Sequence, residues 1–157
     1  MDAIPRAPFE TLEICFRLLS TGPAGLALDG RRLGHGLPAR PIPLVELRAL
    51  LQHPTGTHEL QRAVIEELVR RALHQGEDWV VGVAGVLLPG LRWIAASVLL
   101  VDHRAAGDVE AELLELLRDA IGSHAPAALK LALGVVQFIR ADEPSARPMR
   151  RSDPIGA

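Results

Sequence analysis

Residues 79–101 read WVVGVAGVLLPGLRWIAASVLLV, an almost continuous run of apolar residues. Glu77 and Asp78 come directly before this run, and acidic residues are favoured at the N-terminus of a helix. Pro89 lacks an N–H group and crowds the carbonyl group of Gly85, four residues earlier, so a helix here should be kinked. Because a helix that is apolar on all sides must be covered on all sides, the segment predicts a central, buried helix of a bundle.

Two other structures for this segment stay open at the sequence level. The valines and glycines of residues 79–88 also suit a β-strand, because valine favours strands and glycine weakens helices. A membrane span needs roughly 20 apolar residues, whereas the uncharged part of the segment ends at Arg92. We therefore expect a helix, and no association with a membrane.

Residues 58–75 predict a second long helix. Thr57 is placed to cap its N-terminus, and Gly76 is a suitable residue to end it. Ion pairs four residues apart should stabilise it, namely Glu66–Arg70 and Glu67–Arg71. Its expected buried face contains the apolar residues at helical spacing: Leu60, Val64, Ile65, Leu68, Val69 and Ala72.

Shorter segments predict the remaining elements. Residues 9–20 suit either a helix or a strand, with Cys15 on the apolar side. Asp29-Gly30 lies between short apolar segments at 26–33 and predicts the turn of a β-hairpin. The glycines and prolines of residues 34–43 predict an extended loop. Further helices are expected at 43–53, at 109–121 after a cap formed by Gly107-Asp108, and at 126–140.

The length of 157 residues suits one domain. We predict a mainly α fold: a single helical, bundle-like domain over residues 1–140, with a small N-terminal hairpin and a proline- and glycine-rich loop at 26–43. Residues 141–157 contain three prolines and no periodicity, which predicts a disordered C-terminal tail.

Composition excludes several classes of protein. The formal net charge of −2 and the aromatic content of 3% argue against a nucleic-acid-binding domain, so DNA binding should be weak or absent. A cluster of Arg147, Arg150 and Arg151 in the tail offers salt-sensitive contacts at most. The N-terminus has no uninterrupted apolar segment of the secretory type, and the single cysteine fits a reduced compartment. We expect a cytoplasmic protein.

No residue pattern indicates catalysis, a metal site or a cofactor. His53 and His58 flank a short loop beside Glu59, but the second histidine that a zinc-binding helix needs four residues on is missing. The Gly-His-Gly at 34–36 lacks the strand and helix of a phosphate-binding loop. Potential nucleophiles have no base and acid at recognisable spacing: Cys15, Ser20, Ser97 and Ser123. We expect no enzyme, no metal and no cofactor.

The most distinctive charged pattern is a row of carboxylates. Asp108, Glu112, Glu115 and Asp119 are spaced by four, three and four residues, which places them on one face of a helix. Like charges at this spacing destabilise a helix, and no basic residue is expected within one turn of the row. These four residues, called the acidic stripe below, are our candidate site for binding a basic partner; a plain solvated face is the alternative.

Four segments of the chain resemble a known family: residues 26–54 (LALDGRRLGHGLPARPIPLVELRALLQHP), 63–72 (AVIEELVRRA), 78–95 (DWVVGVAGVLLPGLRWIA) and 108–121 (DVEAELLELLRDAI). The chain over about residues 25–140 resembles a family of small uncharacterised actinobacterial proteins that recur near mobile-element and regulatory genes.

The segment GDVEAELLELL at 107–117 is also similar to the second conserved region of RNA polymerase sigma factors of the extracytoplasmic-function type. That resemblance implies docking on the clamp helices of the polymerase. Residues 126–140 keep a single aromatic residue, Phe138, and no helix-turn-helix follows, so promoter melting and upstream recognition are not implied.

The expected function is accordingly that of a non-enzymatic, sigma-like and degenerate regulatory protein that acts through protein contacts, with RNA polymerase core as the implied partner. The alternative is a structural or adaptor module of a mobile element that forms a homo-oligomer through its helical core.

Overall fold

The computed structural model describes residues 6–53 and 56–123, together with positions 130, 132 and 134. Of these residues 75% are helical, which confirms the mainly α fold. The elements in chain order are α1 (Pro8–Ser20), β1 (Ala27–Asp29), α2 (Gly30–Leu33), β2 (Pro41–Pro43), α3 (Leu44–Gln52), α4 (His58–Gln75), α5 (Glu77–Val101) and α6 (Ala106–Ser123).

Helix α5 is the centre of the fold, as the apolar segment predicts. It packs against α1, α3, α4 and α6, and Val83 and Leu87 are fully buried. Gly85 allows α1 to approach closely, because a Cβ atom at this position would lie 2.0 Å from ring atom Cδ1 of Phe16. Pro89 lies within α5. The alternative of a strand at 79–88 is therefore wrong.

Helix α4 has the bounds predicted for it. The Thr57 side chain accepts a hydrogen bond from the backbone N–H of Leu60 at 3.1 Å and so caps the helix. All six residues of the predicted apolar face are buried. Gly76, with φ of +97°, is the single residue between α4 and α5. The backbone conformation at this residue is one that glycine adopts without a steric penalty.

The hairpin is present, but its predicted turn is wrong. Strand β1 pairs antiparallel with β2, which places Leu28 opposite Ile42, and both side chains are fully buried. Asp29 does not form a two-residue turn with Gly30; its side chain accepts from the backbone N–H of Arg31 and caps α2. Part of the expected extended loop at 34–43 is consequently strand β2. Burial of the Leu28–Ile42 pair outweighs the local turn signal.

Other local expectations are also corrected. Residues 9–20 are helical, and Cys15 is exposed rather than on the buried side of α1. Helix α6 begins at Ala106, so Gly107 and Asp108 lie in its first turn instead of before it. Glu66 pairs with Arg62 and not with Arg70, whereas the expected Glu67–Arg71 pair is present at 2.8 Å.

Two expectations concern the C-terminal part of the chain. The predicted helix at 126–140 lies outside the described residues except at positions 130, 132 and 134, which are helical, and Ala132 is buried. The predicted disordered tail at 141–157 lies wholly outside the described residues.

Candidate functional site

The acidic stripe lies on the solvent side of α6. Asp108, Glu112, Glu115 and Asp119 are all exposed, because the opposite side of the helix is held against the core. The buried residues on that opposite side are Val109, Leu117 and Ile121. The sequence spacing therefore places the four carboxylates correctly on one outer face.

The acidic stripe has basic neighbours, so the prediction that no basic residue lies within one turn of it is wrong. Glu112 pairs with Arg104, whose Nη1 lies 2.6 Å from Oε1, and this contact raises the pKa of Arg104. Arg118 binds Glu77 of α5 in two contacts, one of them at 3.0 Å from Nη1 to Oε1. Asp108, Glu115 and Asp119 form no ion pair with any described residue. Three of the four carboxylates therefore have no ion-pair partner within the part of the chain that the structure describes, although Arg104 attracts Asp108, and Arg118 attracts Glu115 and Asp119, at longer range.

A groove runs beside the stripe, between α1, α5 and α6. Its volume is about 280 Å³. Glu115 is the member of the acidic stripe that lines it, together with Arg118, and the rest of the wall is apolar: Pro8, Leu12, Val80, Val81, Ala84, Ala111, Leu114 and Leu117. On the other side of the acidic stripe Leu116 is 56% exposed. Charged and apolar surface thus alternate across α6.

Glu110 fixes the position of α6 against α1, a role that sequence reasoning missed. Its Oε1 accepts a hydrogen bond at 2.9 Å from the backbone N–H of Phe9, in the first turn of α1. Ala7 at the N-cap position of α1 has no side-chain acceptor, so the carboxylate of α6 satisfies one of the N–H groups that a helix leaves free. The sequence shows that Ala7 and Pro8 provide no capping side chain, which indicates that an acceptor must come from elsewhere. Nothing in the neighbouring sequence identifies Glu110 as that acceptor.

A second cluster joins α1, α3 and α5 around Arg48. Its guanidinium binds both carboxylate oxygens of Glu13, at 2.7 and 2.9 Å, and lies 4.7 Å from the centroid of the Phe16 ring. Nη1 also donates to the carbonyl oxygen of Gly85 at 3.0 Å. Pro89 cannot donate to this carbonyl because it lacks an N–H group. Arg48 therefore supplies the hydrogen bond that proline removes from the helix.

The arginines around Glu13 keep its carboxylate ionised. The hydrogen bonds from Arg48 lower the pKa of Glu13 to about 2, with a further contribution from Arg17, whose Nε lies 2.5 Å from Oε2. Burial acts in the opposite direction and is outweighed. The side chains of Arg48 and Glu13 are only 11% and 19% exposed, so removal of either partner would leave the other charge poorly solvated where three helices meet.

The candidate nucleophiles and metal ligands do not come together in the described residues. The hydroxyl groups of Ser20 and Ser97 donate to backbone carbonyls of their own helices, at Phe16 and Trp93. No group of three or more histidine, cysteine, aspartate or glutamate side chains in ranges 6–53 and 56–123 is arranged to hold a metal ion. The side chain of Ser123 lies outside the description.

Comparison of the chain with protein-family models, with curated proteins and with solved structures finds no significant match. Among the described residues, α5 is the one helix long and apolar enough to cross a membrane by length and composition; half of its most apolar window is buried against the rest of the fold. A core helix of a soluble protein meets the same criteria of length and composition.

Proposed function

We propose that this protein is a non-enzymatic regulator that binds another protein through the outer face of α6 and the groove beside it. The observation that carries the proposal is the combination of carboxylates that form no ion pair with a described residue, at Asp108, Glu115 and Asp119, with apolar surface on one side of the molecule. Protein interfaces commonly have an apolar centre and a polar, charged rim.

The chemistry of this face favours a basic amphipathic helix as the partner segment. Apolar side chains of such a helix fit the groove between α1, α5 and α6, and lysine or arginine on its edge meets the carboxylates. Glu115 stands where the two surfaces meet, since it belongs to the acidic stripe and also lines the groove. The groove supplies affinity, and the charges mainly speed the encounter and fix its orientation.

The similarity of residues 107–117 to the second conserved region of sigma factors supports a specific partner, the core of RNA polymerase. In this proposal the protein is a sigma-like, degenerate regulator that occupies a docking surface of the polymerase without melting a promoter. Its site of action is then the cytoplasm.

The test measures binding of the protein to purified RNA polymerase core at about 150 mM salt, where charges are screened beyond roughly 8 Å. Glu115→Arg combined with Asp119→Arg should weaken binding at least tenfold. The matched control is Glu59→Arg with Glu66→Arg, which makes the same change in net charge on exposed positions of α4 and should bind like the wild type.

Two results would overturn the proposal. One is a folded wild-type protein that does not bind the core enzyme. The other is an equal loss of binding in both charge-reversal variants, since that would reflect net charge rather than the face of α6. Far-UV circular dichroism of each variant establishes that it is folded.

The alternative function, an adaptor module that forms a homo-oligomer, is favoured by apolar side chains exposed elsewhere. Ile14 and Leu18 on α1 are 39% and 71% exposed, and Leu100 and Val101 at the end of α5 are 82% and 84% exposed. A second copy that covers these residues would form a dimer or a larger assembly. Light scattering over a range of concentrations tests this alternative, and a constant monomer mass contradicts it.

A further inference from the structure

The basic side chains of α2 and α4 meet at a pocket distant in sequence from the acidic stripe. The pocket has a volume of about 240 Å³. It lies between β1, α2 and α4, and its lining residues are Leu28, Asp29, Arg32, Leu33, Glu67, Arg70 and Arg71. Three guanidinium groups and two carboxylates therefore surround one small space, which leaves a net positive charge.

The two carboxylates of the pocket are already engaged. Asp29 caps α2 through the backbone N–H of Arg31, and its Oδ1 lies 3.7 Å from Nε of the same residue. Glu67 accepts from Arg70 at 2.6 and 3.1 Å and from Nε of Arg71 at 2.8 Å. Burial acts to raise the pKa of Glu67, but the hydrogen bonds from Arg70 and Arg71 together outweigh it and lower the pKa, so the carboxylate stays ionised.

Several arginine donors of the pocket have no partner among the described residues. Arg32 is exposed and forms no hydrogen bond or ion pair with them. Arg71 uses Nε alone for Glu67, which leaves both of its terminal amino groups available, although its side chain is only 21% exposed. The guanidinium of Arg71 lies 5.0 Å from the centroid of the Trp79 ring, which fixes it in place.

We propose that this pocket binds the dianionic phosphate group of a small phosphate-bearing molecule, through Arg32, Arg70 and Arg71. Guanidinium groups bind phosphate oxygens in a planar, two-point geometry, and arginine is the residue best suited to this contact. Drug-sized ligands occupy pockets of roughly 300–1,000 Å³ that are mostly apolar. A smaller pocket with a mainly charged wall suits a compact anion. Free phosphate and a small phosphate ester share this chemistry.

The experiment is an NMR titration of the isotope-labelled protein with inorganic phosphate, followed at the indole N–H of Trp79 and the Nε–H groups of the arginines. Sodium chloride keeps the ionic strength constant, and acetate is titrated separately as a singly charged control anion. A second series with glycerol phosphate distinguishes the two sources. Tighter binding of glycerol phosphate indicates a phosphate ester, and tighter binding of inorganic phosphate indicates the free ion.

The variant that tests the site is Arg32→Ala, because Arg32 is exposed and its loss should not affect folding. Its binding of phosphate should be about tenfold weaker, as expected for the loss of one charge-assisted hydrogen bond. Arg62→Ala, an exposed arginine of α4 outside the pocket, is the matched control and should bind like the wild type. Equal shifts with acetate and phosphate, or equal binding by Arg32→Ala and the wild type, would overturn the proposal.

Discussion

Two ion pairs of similar geometry join neighbouring helices in very different surroundings. Arg48 binds Glu13 where α1, α3 and α5 meet, and the two side chains are 11% and 19% exposed. Arg118 binds Glu77 between α6 and α5, where the side chains are 55% and 57% exposed. Both arginines contact both oxygens of their carboxylate. The difference between the two pairs is therefore one of burial and of additional contacts.

The importance of an ion pair for the stability of this fold depends on its burial and on its additional contacts. An exposed pair gains little, because water solvates both partners and salt screens them. A mostly buried pair gains little by itself as well, but removal of one partner leaves the other with little water and no counter-charge. Arg48 has the further contacts with the Gly85 carbonyl group and the Phe16 ring. The region around Arg48 should consequently be sensitive to substitution, and the α5–α6 pair should be tolerant.

The largest loss of stability is expected at the close contact between Phe16 of α1 and Gly85 of α5. Gly85→Ala places a Cβ atom 2.0 Å from the Phe16 ring, so the helices must separate and the Arg48 contacts lengthen. We expect the free energy of unfolding to fall by about 3 kcal/mol, measured by urea denaturation. Gly122→Ala is the control, because a Cβ atom there meets no described residue within 4 Å; its stability should be unchanged or slightly higher. Similar losses in the two variants would contradict the close-packing argument.

The next effect tests the two ion pairs directly. Glu13→Gln leaves the mostly buried Arg48 guanidinium without its counter-charge, and we expect a loss of about 2–3 kcal/mol in the free energy of unfolding. Glu77→Gln removes the exposed carboxylate and should cost less than about 0.5 kcal/mol. Urea denaturation of both variants at low and high salt is the measurement. If the two substitutions cost the same, burial is not what distinguishes the pairs.

The smallest of the three effects is a dependence on pH. The pKa of Glu13 is about 2 in the folded protein, below the ordinary value of 4.5 for a glutamate carboxyl group, so the folded state favours the ionised carboxylate. Its contribution is complete above about pH 4.5 and is lost as the pH falls towards 2. From these values about 2 kcal/mol of stability should be lost between roughly pH 7 and pH 3. Glu13→Gln should lack this component; an identical pH profile in the variant would contradict the assignment.

Local signals in the sequence predict the long helices well. Thr57 and Gly76 mark both ends of α4, and the apolar periodicity between them identifies its buried face. The position of α5 follows from its composition, because only a central helix can be covered on all sides. The acidic stripe is likewise predicted in its placement, since helical spacing alone decides which residues share a face.

Contacts between distant segments could not be predicted in the same way. The hairpin pairs Leu28 with Ile42, and both side chains are buried. The local turn signal at Asp29-Gly30 instead predicts that the strands on either side of this dipeptide pair. The partner of Glu112 is Arg104, outside the regular spacing of α6. The sequence shows that the carbonyl group of Gly85 lacks a donor, because Pro89 has no N–H group. It does not show that Arg48 supplies the hydrogen bond, because that contact depends on how α3 packs against α5.

The single-residue connection at Gly76 has a consequence for the order in which the chain folds. Helices α4 and α5 are adjacent in sequence, so they can pair with little loss of chain entropy, whereas the hydrogen bond from Phe9 to Glu110 joins residues 101 positions apart. The α4–α5 hairpin should therefore form early in folding, and α1 should dock last. The same order in reverse makes α1 the first helix to leave the native structure, and its departure would remove Pro8 and Leu12 from the wall of the groove that we assign to partner binding.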